Sequence, residues 1–352
     1  MTFSMRNRFL VPIFFFSFLF PFLSKGAIQV PSLMAVYQQR SDLQNSFDVN
    51  GQPIEGGKAG FLLNLEDWAR QYGWREHAEL AAYAPSEPAP ELVGTVPVPK
   101  MTAGAFLVMD RRTGTILAEH RGGVPWPIAS ISKLMTAELV FGQGTPLDKV
   151  VAIQKEDEVG GARLAVSPGT TFTVEGLLYA ALIGSANNAA TALSHATDMD
   201  KETFVRAMNE RAKEMGLSKT SFFDPSGMDP ANVSTPREIA QLATQVFSRQ
   251  EMRRYTSTAS RVIPVLSNQS TKKLTNTNWM IWKPEYDDVY VTSGKTGYLE
   301  ESGWNLVVSL RPSADDTQRE LLLVLFGSES RPDSFKDAKA LAKWTWKNAE
   351  WK

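Results

Sequence analysis

Beyond Met101 the chain alternates short apolar runs with amphipathic stretches. Ala105 to Met109 (AFLVM) and Thr115 to Glu119 (TILAE) flank the polar turn Asp110-Arg111-Arg112-Thr113-Gly114, which predicts a β-hairpin. Ile131 to Phe141 reads as a helix. Leu177 to Ala196 holds mostly helical residues with Ala-rich packing faces, and its apolar first part, Leu177 to Ile183, gives way to Gly184 and a short polar turn. Lys201 to Met215 is amphipathic and stops before Gly216, a favoured residue just past a helix end. Pro236 to Ser248 predicts another helix, and Phe335 to Trp351 a last one. Between these lie three apolar strand patterns, Val289 to Thr292, Asn305 to Leu310 and Glu320 to Phe326. Strands at both ends with helices between them predict an α+β layered domain: an antiparallel sheet of about five strands with helices packed on it.

Upstream the pattern changes. Arg6 and Arg8 precede the apolar run Phe9 to Leu23, followed by the small or polar residues Ser24, Lys25, Gly26 and Ala27. A basic start, an apolar stretch shorter than a full span and a small-residue exit predict an export signal over residues 1–26. Cleavage near Gly26 or Ala27 is the expectation, and retention as an N-terminal membrane anchor is the alternative. Either way the rest of the chain works outside the cytoplasm, in a periplasm or on the outer face of the membrane. Residues 27–84 read as an arm without recognisable chemistry, with short helical stretches such as Leu65 to Tyr72 beside Trp68 and Trp74. Residues 85–102, with Pro85, Pro88, Pro90, Pro97 and Pro99, read as an extended linker. The catalytic domain is expected over 103–352.

Composition narrows the chemistry. The 352 residues carry 37 Lys+Arg against 38 Asp+Glu, so no basic excess points to nucleic acid. Cysteine is absent, which removes a thiol nucleophile, disulfides and cysteine-based metal sites. The three histidines, His77, His120 and His195, form no metal-binding motif, and no G-x-S-x-G elbow occurs. A serine nucleophile in this chain would therefore use a base other than histidine, with no metal and no cofactor.

Three short motifs occur in order: Ser130-Ile131-Ser132-Lys133, Ser185-Ala186-Asn187 and Lys295-Thr296-Gly297. Each is weak alone, since roughly one chance S-x-x-K is expected in a chain this long. A second one does occur, at Ser270 to Lys273, but within a polar stretch that starts no helix. Ser130 leads a helical pattern, so Lys133 shares its face and can bring an amine to its hydroxyl. Serine needs such a base, and lysine serves only if its pKa falls through burial or a nearby cation. Lys295 is a candidate for that cation. Ser185 and Asn187 sit on a turn that can aim two side chains into a cleft, Ser185 to relay a proton and Asn187 to hold Lys133 and a substrate amide. Lys295-Thr296-Gly297 follows a strand pattern whose edge can pair with an extended peptide. Lys295 and Thr296 would contact a terminal carboxylate there, and Gly297 would let the substrate backbone approach closely.

The three motifs together are a known catalytic set, and the sequence resembles the low-molecular-mass penicillin-binding proteins, the serine-type D-Ala-D-Ala carboxypeptidases. The resemblance runs from about Ala103 to Trp346. It includes Pro127-Ile128-Ala129-Ser130-Ile131-Ser132-Lys133-Leu134-Met135-Thr136-Ala137, Ser185-Ala186-Asn187-Asn188-Ala189-Ala190, Asp224-Pro225-Ser226-Gly227-Met228-Asp229, Thr275-Asn276-Thr277-Asn278 and Gly294-Lys295-Thr296-Gly297-Tyr298. It implies a serine β-lactamase/DD-peptidase-like fold acting on peptidoglycan peptides. Ser130 would be the acylated nucleophile, Lys133 its general base, and Ser185 with Asn187 a relay and positioning pair. Lys295 and Thr296 would bind substrate, and the backbone N–H groups of Ser130 and Tyr298 would form the oxyanion hole. β-Lactams would acylate the same serine. A basic residue near the last helix, Arg331 or Lys336, would meet the substrate carboxylate. The chain departs from many family members in showing no β-rich second domain or C-terminal anchor after the last helix, and in having Asn188 where Asp is common. Three alternatives follow: an endopeptidase of the same family cutting D-Ala–diamino-acid crosslinks, a class A β-lactamase, and a non-catalytic wall-binding protein. A deacylating E-x-x-L-N segment is absent, which argues against the lactamase.

Overall fold

The structure, a computed structural model, describes residues 88–351 apart from Thr95. The expected export signal, the arm and the first linker residues lie outside the described residues. The centre is a five-stranded sheet, antiparallel throughout. Its strands are β1 (Ala105–Asp110), β2 (Ile116–His120), β3 (Tyr290–Leu299), β4 (Gly303–Arg311) and β5 (Leu321–Ser328), in spatial order β3-β4-β5-β1-β2. Two chain segments far apart in sequence thus build one sheet, with the helices inserted between them.

Alternation within the strands explains their continuous apolar character. Ala105, Leu107, Met109, Val307, Leu322, Val324 and Phe326 face one core. Phe106, Val108, Leu306, Val308, Leu310, Leu321, Leu323 and Leu325 face another. Successive side chains point to opposite faces, so a strand covered on both sides shows no polar positions. The first core is filled from the helices α1 (Lys133–Gly142), α2 (Val174–Leu182), α3 (Asn187–Ala196), α4 (Lys201–Glu214), α5 (Pro236–Ser248) and α6 (Gln250–Ser257). The second is closed by Phe335, Ala338, Leu341 and Ala342 of α7 (Arg331–Asn348).

Several elements differ from the sequence reading. The apolar stretch Leu177 to Ala196 is two helices, α2 and α3, separated at Ser185, whose φ is +58°. The nucleophile segment opens as a 3₁₀ turn over Ala129–Ser132, and α1 starts only at Lys133. α7 begins four residues earlier than expected, because Ser330 caps it by accepting from the Asp333 N–H, with Pro332 in its first turn. β3 extends to Leu299, so Lys295-Thr296-Gly297 lies inside the strand and does not follow it. Helix α6 and the hairpin Ser260–Val265/Ser270–Thr275 were not foreseen. That hairpin buries only Ile263, Val265 and Leu274, carries Pro264 and turns charges outward, so its pattern is faint. It also holds Ser270, exposed and hydrogen-bonded to Asn268. Part of the expected linker is docked: Glu91–Leu92 pairs with Ala349–Glu350, and Thr102 and Ala103 donate to the Asp337 carboxylate.

Candidate active site

Ser130 stands on a turn whose geometry aligns it with Lys133. A 3₁₀ helix has three residues per turn, so residues i and i+3 eclipse. The Lys133 Nζ lies 2.7 Å from the Ser130 Oγ. The turn is strained, with Ala129 at φ +49°, and is held from several sides. The Ile128 N–H donates to the Asn232 carbonyl (2.9 Å), and the Ser132 hydroxyl donates to the Ala129 carbonyl (2.8 Å). Asn232 in turn donates to the Ser132 Oγ, and Asn305 of β4 donates to the Pro127 carbonyl.

Two glycines permit this clamping. Gly227 has φ +81°, and a Cβ there would stand 1.9 Å from the Ala129 carbonyl oxygen. A Cβ on Gly297 would stand 2.9 Å from the Ile128 carbonyl oxygen and 3.2 Å from the Ser130 nitrogen. The tight approach at Gly297 is therefore made by the nucleophile turn itself, where the sequence suggested a substrate backbone.

Lys133 is 1% exposed. Its amine also reaches the Asn187 Oδ1 at 2.7 Å and the Ser226 carbonyl. A neutral amine has two N–H bonds and one lone pair. With both N–H groups taken by those carbonyl oxygens, the lone pair is left facing the Ser130 hydroxyl. Burial pushes Lys133 down to about 7, and the Asp224 carboxylate pulls the other way. Burial is thus the first cause of the shift, one of the two expected from the sequence, and the mutual repulsion of Lys133 and Lys295 acts on the buried pair. Burial itself pushes Asp224 up, but hydrogen bonds from Ser226, Asp229 and Gly227 outweigh it and hold the carboxylate below its usual range.

Lys295 is equally buried. Its amine donates to the Ser185 Oγ and the Thr296 carbonyl, both at 2.8 Å. The two lysines therefore serve two different hydroxyls, Ser130 and Ser185. Burial, then Lys133, then Arg331 push Lys295 well below the usual lysine value. The left-handed backbone at Ser185 turns that residue between α2 and α3 into the site. Asn187, the first residue of α3, also donates to the Gly160 carbonyl, tying the loop before it to the site. Asn188 bonds Leu164 and Glu158 and acts on that loop only.

On the strand side, the Thr296 and Thr277 hydroxyls share a hydrogen bond of 2.6 Å. The Arg331 Nη2 donates to the Thr277 carbonyl at 2.7 Å, and its buried Nε has no hydrogen-bond partner among the described residues. Lys336 points away, its side chain 68% exposed beside Asp333. Of the two basic candidates, Arg331 adjoins the site. The Tyr298 ring is half exposed and stacks on Trp304. Sequence reasoning gave no role to Asp224, Ser226, Asn232 or Thr277. The Asp224-Pro225-Ser226-Gly227 and Thr275-Asn276-Thr277-Asn278 runs were the available signal.

A serine served by a buried amine, at the end of a sheet completed from both termini, defines a serine hydrolase of the penicillin-interacting fold. The chain belongs to the D-alanyl-D-alanine carboxypeptidase family, peptidase S11, whose model matches residues 93–330. A D-alanyl-D-alanine endopeptidase of Pseudomonas aeruginosa is 31% identical over 70% of this chain and 77% of its own length. The D-alanyl-D-alanine carboxypeptidase DacF of Bacillus subtilis is 29% identical over 65% of this chain and 58% of its own. Among solved structures, a mutant Streptomyces DD-transpeptidase aligns with a TM-score of 0.65 at 25% identity, covering 71% of this chain and 99% of that one. A penicillin-binding protein of Listeria monocytogenes in its ampicillin-bound form aligns with a TM-score of 0.60 at 26% identity, covering 70% and 98%. The protein is a serine peptidase, and the class A β-lactamase and non-catalytic readings fall away with the family.

Proposed function

We propose that the protein removes the terminal D-Ala of peptidoglycan stem peptides through an acyl-enzyme on Ser130. Neutral Lys133 takes the hydroxyl proton as Oγ attacks the carbonyl carbon of the penultimate D-Ala. The backbone N–H groups of Ser130 and Tyr298 receive the oxyanion, each such donor lowering the barrier by about 3–4 kcal/mol. Collapse breaks the peptide bond, and the leaving amine gains its proton from Lys133 by way of Ser185. Water then attacks the ester carbonyl, giving its proton to Lys133, and Ser130 leaves reprotonated. Asn187 orients Lys133 and the substrate amide, while Lys295, Thr296 and Arg331 hold the terminal carboxylate. A β-lactam would enter the same path and stall as an ester.

The observation that carries this reading is the Lys133 amine, buried and pointed at the Ser130 Oγ by two carbonyl acceptors. Fluorescent penicillin and a pentapeptide test it together. Labelling and D-Ala release are expected in the wild type and lost in Ser130→Ala; labelling of that variant would refute the assignment.

A second reading is an endopeptidase of the same family, which the name of the Pseudomonas relative favours. Release from crosslinked dimers but not from pentapeptide would select it. The charge and apolar pattern of residues 1–26 supports export, with cleavage or membrane retention as the two fates. The size of the extracted protein distinguishes them.

A further inference from the structure

A ladder of rings and cations runs from the end of the catalytic strand, across its partner β4 and the start of α7, to the 3₁₀ turn at Trp279. The Tyr298 and Trp304 rings stack with centroids 4.3 Å apart. The Arg331 guanidinium carbon lies 5.8 Å from the Trp304 ring centre and 4.7 Å from that of Trp279. The Lys283 ammonium then stands 3.3 Å from the Trp279 centre and 5.9 Å from Trp282. Trp282 is 41% exposed. The ladder is fixed to the site: Arg331 holds the Thr277 carbonyl, Thr277 bonds Thr296, and the Trp282 indole N–H donates to the Asn276 carbonyl at 2.9 Å.

Its charge is uncompensated. Among the described residues neither Arg331 nor Lys283 pairs with a carboxylate, although Trp279 carries both cations. Cation–π contact attracts an ammonium without neutralising it. In the reading above, Arg331 meets the carboxylate beside the scissile bond. A D-Ala leaving group ends there and gives Lys283 and the two indoles nothing to hold. A diamino-acid leaving group places a carboxylate at the same point and continues as a second peptide. An uncharged sugar would use the indoles and gain nothing from Lys283.

We propose that Trp279, Trp282 and Lys283 form a subsite for the carboxylate-bearing second peptide of a crosslinked substrate, on the leaving-group side of Arg331. This rests on the acyl-enzyme chemistry that the carboxypeptidase and endopeptidase readings share, and within it favours the endopeptidase by making crosslinked peptide the preferred substrate. The test compares kcat/KM of the full-length protein on a crosslinked muropeptide dimer with that on the monomeric pentapeptide. The wild type should favour the dimer. Lys283→Glu should lower the dimer-to-pentapeptide ratio about tenfold or more, through KM, and Lys283→Arg should hold it within about twofold. A dimer amidated at the carboxylates of its second peptide, except the one beside the scissile bond that Arg331 meets, should lose the same advantage with the wild type. An unchanged ratio in Lys283→Glu, or an equal loss on both substrates, overturns the subsite. Full cleavage of the amidated dimer also overturns it and points to sugar stacking. A wild type that releases D-Ala but ignores the dimer sinks the subsite and leaves the carboxypeptidase standing. A wild type that penicillin fails to acylate sinks both.

Discussion

Lys133 and Lys295 are both 1% exposed and repel one another, yet their other charged neighbours differ in sign. Lys133 lies on the helical side, with two carbonyl acceptors fixing its amine and the Asp224 carboxylate offsetting part of its burial. Lys295 lies on the strand side, with cations Lys133 and Arg331 as its charged neighbours. One amine is thus poised near neutrality to exchange a proton with Ser130. The other lacks an anion, which a substrate carboxylate would supply. Burial alone does not assign a lysine its task; the charges around it do.

The contrast is broken most severely at the helical side. Lys133→Ala should lower penicillin acylation roughly a thousandfold or more, since the serine loses its base. Stopped-flow labelling measures it, and a loss under tenfold would mean another group takes the proton. Lys295→Ala should cost roughly a hundredfold, with part of the loss in affinity, because it removes one binding charge and not the base. Equal effects of the two substitutions would erase the distinction drawn here.

Arg331→Ala should raise the pentapeptide KM about tenfold, whereas Lys336→Ala should change it less than about twofold. Acylation should also follow pH. Only neutral Lys133 accepts a proton, and its fraction grows as pH rises, so the rate should climb through about 7. Lys133→Arg should show no such limb, since guanidinium keeps its proton. A last effect concerns the scaffold between the two sides. Gly297→Ala would set a Cβ 2.9 Å from the Ile128 carbonyl oxygen, a backbone atom that must move aside, so it should displace the nucleophile turn, slow acylation about tenfold and lower Tm measurably, as read by thermal denaturation.

Much of the scaffold was legible because local signals were strong. Pro236 to Ser248 is helical to the residue, with Thr235 as its cap and Pro236 in the first turn. The two central strands, β1 and β5, were readable from their apolar runs. β3 was cut short because Ser293-Gly294-Lys295-Thr296-Gly297 looks like a turn. Pairing with β4 and close packing at Gly294 and Gly297 override that local preference. The start of α7 was missed although Ser330, Pro332 and Asp333 form a recognisable cap, because no apolar periodicity begins until Phe335.

The residue types and their order along the chain determined the chemistry: a serine with a lysine three positions on, no cysteine and almost no histidine leave few ways to make a nucleophile. Spacing also put Lys133 beside Ser130, since that contact is local. Only the tertiary structure decided which hydroxyl each amine serves, that Arg331 and not Lys336 adjoins the site, and that Asp224 sets the field around Lys133. The hydrogen bonds from Lys133 to Asn187, Lys295 to Ser185 and Arg331 to Thr277 join residues 54 to 110 positions apart. Such contacts exist only once the sheet has brought its two halves together and burial has replaced water around the charges.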